Sequence, residues 1–157
     1  LRRKKTSILI TNPVTSFRFV ESIRKLRRRV EQHMDGGKVL MVTSLLENEG
    51  KSTVAVNLAL AMEQKGKHVL LIDCDLRKPA CGMVLGQSKF TYGLNDILGG
   101  KENLSECFLR YQNSDMYMLL AKRGEQNTGD LLISPRMNTL LDWRGSASTL
   151  SCLTCPP

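Results

Sequence analysis

The run Glu49-Gly50-Lys51-Ser52-Thr53 carries the residue types that grip a phosphate. Glycine lets the backbone curl so that amide hydrogens can point at phosphate oxygens. Lys51 brings a cation to the terminal phosphates, and the Ser52 hydroxyl is a ligand for Mg2+. A second group follows at Asp73-Cys74-Asp75, with Arg77, Lys78 and Pro79 directly after it. Two carboxylates there can hold magnesium through water, and one can take a proton from an attacking hydroxyl. The candidate phosphate-binding residues are Glu49, Gly50, Lys51, Ser52 and Thr53. Ser52, Asp73 and Asp75 are the candidate metal ligands; Lys51, Asp73 and Asp75 are the candidate catalytic residues.

The flanking elements must bring these groups together. KVLMVTS, residues 38–44, is a short apolar run flanked by glycine and predicts a buried parallel strand. A helix is predicted from Ser52 to about Lys65, ended by Gly66, and its positive end would face the anion. KHVLLID, residues 67–73, predicts a second buried strand with the aspartates at its carboxyl end, the edge where open parallel sheets place ligands. Strand, loop, helix and strand make a βαβ unit with a right-handed crossover. One position departs from the GxxxxGK[ST] pattern: Leu45 stands where glycine is usual. The plain alternative is that Ser52 only caps a helix after a turn glycine and Asp73 only caps a turn. The register of all four elements favours a nucleotide site.

The rest of the chain frames this unit. From Ser16 to about Gln32 the pattern is helical, with Phe19, Ile23, Leu26 and Val30 on one face, and Asp35-Gly36-Gly37 ends it. SILIT (7–11) predicts a short extended segment. GLNDILGG (93–100) and NLSECFLRY (103–111) predict short helices, MYMLLAKRG (116–124) a third strand, and 128–142 a helix interrupted at Pro135. A chain of 157 residues is one domain, and no apolar run is long enough to span a bilayer. The net charge of +8 is concentrated in Arg2 to Lys5 and Arg24 to Arg29. The plain reading of such runs is a solvated helix face. Among functional readings, the lack of interleaved aromatic residues makes nucleic acid the weakest, behind an acidic partner or the anionic inner face of a membrane. Five cysteines and no secretory signal fit reduced thiols in the cytosol, and Cys152-x-x-Cys155 stands alone, without the second pair that zinc would want.

At these motifs the chain resembles the bacterial tyrosine kinases, the autokinases of capsule and exopolysaccharide synthesis. VTSLLENEGKST is similar to that family's TS-x-x-PGEGKST, with Glu47-Asn48 in place of Pro-Gly. VLLIDCDLRKP matches its LLID-x-DLR-x-P, and ESIRKLR fits its ExxRxxR helix. RGEQNTGDLLISPRM (123–137) echoes a further G-x-x-x-PNP-x-ELL-x-S region. The resemblance implies a P-loop NTPase-type α/β fold, a parallel sheet with helices on both faces, and an ATP- and Mg2+-dependent protein-tyrosine autokinase. It implies that Lys51 holds the phosphates, Ser52 binds Mg2+, and Asp73 and Asp75 share metal binding and activation of a tyrosine hydroxyl. Glu21, Arg24 and Arg27 would join subunits into a homo-oligomeric ring. A membrane adaptor or polysaccharide co-polymerase domain, fused or separate, would hold the protein in the cytoplasm at the inner face of the membrane. Two other readings are a ParA/MinD-like positioning ATPase, whose early signature lysine is absent at Leu46 and Glu47, and an inert oligomerisation module.

That family also needs a third apolar strand ending in aspartate, commonly IIID-x-PP. The end of this chain, SASTLSCLTCPP, does not read that way, and the tyrosine-rich tail that the family phosphorylates is not found either. Read one base earlier, the codons allowed from Leu150 to Pro157 are compatible with I-I-L-L-D-x-P-P. A slipped reading frame after about Met137 is therefore the hypothesis for the tail, and nucleotide sequence across 138–157 tests it. The expected organisation is a basic arm and oligomerisation helix (1–35), a partial P-loop kinase domain (36–142) and a non-native, disordered tail (143–157). On this reading the sheet is C-terminally incomplete, and turnover is slow or absent because one metal-site aspartate is missing.

Overall fold

The computed structural model describes residues 17–36, 38–87, 89–101, 104–111, 114–123, 128–142 and 149–156. In chain order the elements are α1 (Phe17–His33), β1 (Val39–Val42), α2 (Lys51–Glu63), β2 (His68–Asp73), α3 (Cys81–Val84), α4 (Leu94–Leu98), α5 (Leu104–Cys107), β3 (Leu109–Arg110), β4 (Met116–Leu119), α6 (Thr128–Leu132), α7 (Pro135–Asp142) and β5 (Thr149–Thr154). The sheet order is β1-β5-β2-β4-β3; its first four strands are parallel and β3 runs antiparallel to β4.

β2 organises both cores. Successive residues of a strand face opposite sides, and every β2 residue after His68 is buried. Val69 and Leu71 pack with Ala55, Leu58, Ala59 and Met62 of α2, against which Leu26 and Val30 of α1 also lie. Leu70 and Ile72 face the other way, onto Leu94 and Ile97 of α4, Met137 and Leu140 of α7, and Leu153 of β5. Helices thus cover both faces, as expected. α2 is buried on nearly every side because it lies between the sheet and α1, so its apolar pattern shows no single stripe.

Three expectations need correction. β1 is not buried on both faces: it lies at the sheet edge, paired only with β5 among the described residues, with Val39 43% and Met41 61% exposed. An apolar run records side-chain character, not how many neighbours a strand will have. The second correction concerns the tail. Residues 149–156 are not disordered: β5 lies in the middle of the sheet, with Thr154 in register with Val42 on one side and Asp73 on the other. Ladder bonds are made by backbone groups whatever the side chains. A proline-free run with Leu153 turned into the core therefore satisfies both neighbouring strands. The strand expected to be missing is present.

The third correction is local. The expected helix over 103–111 closes after Cys107 and gives way to β3. The helical run over 128–142 is divided into α6 and α7, with Pro135 opening α7 at a first-turn position that needs no backbone N–H. SILIT, the basic run Arg2 to Lys5, Asn127 and residues 143–148 lie outside the described residues.

Candidate functional site

The phosphate loop connects β1 to α2 through two left-handed residues, Asn48 (φ 62) and Gly50 (φ 84). Asparagine is among the few side chains that tolerate this region, so Asn48 can take the turn where the related motif has glycine. The Glu49 carboxylate reaches back inside the loop: its Oε2 accepts from the backbone N–H groups of Leu45 and Leu46, both at 3.0 Å. Glu49 therefore shapes the loop and is not among the residues lining the cavity. The side chains of Leu45 and Leu46 are turned out to solvent, which accounts for the tolerance of leucine where glycine is usual.

A cavity of about 420 Å³ opens beside this loop, lined among others by Gly50, Lys51, Ser52, Thr53, Asp75 and Lys78. Gly50, Lys51, Ser52 and Thr53 of the expected set meet there, at the amino end of α2. Lys51 Nζ donates to Asp75 Oδ2 at 2.9 Å in a largely buried ion pair. Asp75 Oδ1 accepts from the Lys78 backbone N–H at 3.0 Å. At the mouth, Lys78 Nζ meets Glu47 Oε2 at 2.6 Å, joining the phosphate loop to the loop after β2. Arg77 lines the same cavity, and its Nε donates to Thr128 Oγ1 at 3.2 Å. Glu47, Arg77 and Lys78 were not singled out from sequence as site residues. Only their adjacency to the two motifs signalled them.

Asp73 is placed differently. Its carboxylate is fully buried and does not line the cavity. Oδ1 accepts from the Asp75 N–H at 3.2 Å and from Thr154 Oγ1 at 2.9 Å. Oδ2 accepts from the N–H groups of Ala80 at 3.2 Å and Cys81 at 3.0 Å. Burial raises its pKa above the ordinary carboxylate value, and these hydrogen bonds pull the other way. The structure therefore brings Ser52 and Asp75 to one cavity and leaves Asp73 behind it, tying β2, β5 and α3 together. Ser52 and Asp75 fit a magnesium ion that draws its remaining ligands from phosphate and water. No cluster of three or more His, Cys, Asp or Glu suited to a metal occurs among the described residues.

Beneath the cavity two thiols meet. The hydrogen bond from Cys74 pulls the Cys155 thiol down to about 7, against its partial burial and the nearby Asp73 and Asp75 carboxylates, with a smaller pull in the same direction from the Lys51 cation. Cys74 is pushed up by donating that bond and by burial. On the far side of α2, the expected assembly residues lie on α1. Arg24 pairs with Glu21 at 2.7 Å and Arg27 with Glu31 at 3.0 Å. Glu21, Arg24, Arg27 and Arg28 line a groove against Ala61, Gln64 and Lys65 of α2 and its end.

Comparison with known proteins adds a second line of argument. Residues 38–139 match the family described as "AAA domain". The chain is 33% identical over 158 residues to the tyrosine-protein kinase Wzc of Salmonella typhi, covering 99% of this chain and 22% of that protein. It thus spans about a fifth of that relative's length. Among solved structures, the kinase domain of the Escherichia coli tyrosine kinase ETK superposes with a TM-score of 0.81 at 28% identity, over 88% of this chain and 55% of that one. The cell-division ATPase MinD of Pyrococcus furiosus shares the fold, with a TM-score of 0.65 at 23% identity, over 76% of this chain and 50% of that one.

Proposed function

The chain belongs to the bacterial tyrosine-kinase family, and we propose that it acts as the ATP-dependent protein-tyrosine autokinase domain of a capsule or exopolysaccharide synthesis and export system. One observation carries this reading: Lys51 and Ser52, at the head of α2, face Asp75 across a single cavity of about 420 Å³ beside the phosphate loop. That volume lies in the range of nucleotide and ligand pockets. The terminal phosphates of ATP draw Lys51 Nζ away from Asp75, and the freed Asp75 carboxylate and Ser52 hydroxyl are the groups that would hold Mg2+. The ion's part would be to neutralise charge on the phosphates.

Asp75, the carboxylate on the cavity wall, is placed to orient or deprotonate the incoming tyrosine hydroxyl. Asp73 could contribute to metal binding only by giving up some of its four hydrogen bonds. Thr154 ends β5 where the related motif has aspartate, which favours slow turnover in this chain. Glu21, Arg24 and Arg27 form the assembly surface of a homo-oligomeric ring, held at the inner membrane face through a polysaccharide co-polymerase domain.

Incubation with γ-labelled ATP and Mg2+ tests the reading. Label on tyrosine, lost in Lys51→Ala, is the expected result. Phosphate release without protein labelling would instead support a positioning ATPase. Neither, with ring formation retained, would leave an assembly module.

A further inference from the structure

We infer that Cys74 and Cys155 are a redox pair, which a small disulfide oxidant of the glutathione class closes into a cross-strand disulfide beneath the phosphate cavity. β2 and β5 are in register at Asp73 and Thr154, and the Cys74 N–H continues the ladder to the Thr154 carbonyl at 2.9 Å. Cys74 and Cys155 are therefore the next residues along neighbouring strands. Neighbouring strands lie about 4.8 Å apart, inside the roughly 4.4–6.8 Å Cα separation that a disulfide spans.

The alternative bridge within Cys152-x-x-Cys155 fails on the same measure. Three steps of extended chain separate those Cα atoms by about 10 Å, beyond the limit of about 7 Å for bridging. Exposure sets the order of events. Cys74 is 2% exposed, whereas Cys155 is half-buried beside Pro156, which lines the cavity. Cys155, its proton released to water, attacks the oxidant's S–S bond as a thiolate, forming a mixed disulfide and expelling one thiolate. The Cys74 thiol gives its proton to that thiolate and attacks Cys155 Sγ, expelling the second, which takes a proton back from water. Two protein thiols are oxidised, and one oxidant disulfide is reduced to two thiols.

The clamp would fix Cys74, between Asp73 and Asp75, to the residue before Pro156. The whole chain is equilibrated in oxidised and reduced glutathione, its remaining thiols are alkylated, and the tryptic peptides are mapped. The expected product is a linked pair joining the peptide of Cys74 to that of Cys155, two hydrogens lighter than the separate peptides and lost on reduction. Cys107→Ser, which changes a cysteine outside the pair, is expected to retain the link. A link between Cys152 and Cys155, or full alkylation of Cys74 and Cys155 in the oxidised buffer, would overturn the proposal.

Discussion

Asp73 and Asp75 stand two residues apart in one motif, yet they serve different parts of the molecule. Asp73 is the last residue of β2, sealed from solvent, with donors from three backbone amides and one hydroxyl. Asp75 lies just past the strand, on the cavity wall, paired with the amine that would meet phosphate. The difference follows from geometry. A residue at the strand end still lies between β5 and the turn into α3, whereas two steps later the chain has reached the cavity. Identical side chains are thus divided into one that ties the strands together behind the cavity and one that lines it.

The strongest way to break this comparison is to truncate each in turn. Asp73→Ala leaves several buried donors unpaired, each costing about 1–3 kcal/mol, so a loss on the order of 3 kcal/mol or more is expected in urea unfolding. Asp75→Ala should cost less stability and act mainly on nucleotide binding and labelling. Equal destabilisation by both would end the distinction. Asp73 also makes a pH prediction. Its folded pKa is raised above the ordinary 3.8, so the folded form binds the proton more readily than the unfolded one. Its ionisation therefore opposes folding above the folded pKa. The stability advantage of wild type over Asp73→Ala should grow as pH falls through the raised pKa toward the ordinary value.

A somewhat smaller effect is expected from Thr154→Asp, which puts a carboxylate where the hydroxyl now donates to Asp73 Oδ1. Two close carboxylates in a buried site repel, and a donor is lost as well. The variant should lose roughly 1–3 kcal/mol without metal. Mg2+ with ATP should then raise its melting temperature by more than it raises that of wild type. Equal shifts in the two proteins would mean that the end of β5 is not part of a metal site.

How much of this was legible in the sequence depended on how local each feature is. The βαβ unit, α1 and the paired aspartates were readable because apolar runs and turn residues are recorded in consecutive positions. The strand nature of Thr149–Thr154 was not, because its polar composition carries no period. What makes it a strand is the open slot between β1 and β2. The edge position of β1 was hidden for the same reason: neighbours are set by topology, not by composition. The site set was readable as residue types but not as roles. Nothing in Asp-Cys-Asp says which carboxylate turns inward, and nothing in Glu49 says that it folds back onto its own loop. An apolar strand ending in aspartate is expected only in the shifted frame, and the residues as they stand are expected to be disordered. The structure puts a strand there, ending in threonine.

The smallest expected effect concerns the cavity mouth, where Lys78 and Glu47 pair with side chains 62% and 57% exposed. An exposed pair contributes only about 0.2–1 kcal/mol, so a double-mutant cycle on stability should return a coupling in that range. Its influence on nucleotide binding is more informative. Glu47 is an anion on the wall of the cavity proposed to take the phosphates, and it holds Lys78, the lysine that would otherwise be free to meet them. Removing a unit charge about 8 Å from another in water changes their interaction by about 0.5 kcal/mol, or roughly twofold in affinity. Glu47→Ala should therefore tighten binding of a fluorescent ATP analogue by about that factor at low salt, with the gain shrinking as salt screens the charges. Lys78→Ala should weaken it. If Glu47→Ala instead weakens binding, the pair would have to act by holding the phosphate loop in shape. Replacing Asn48 and Glu47 with glycine and proline would then be the change that recovers affinity, because it shapes the same loop through the backbone and without the ion pair.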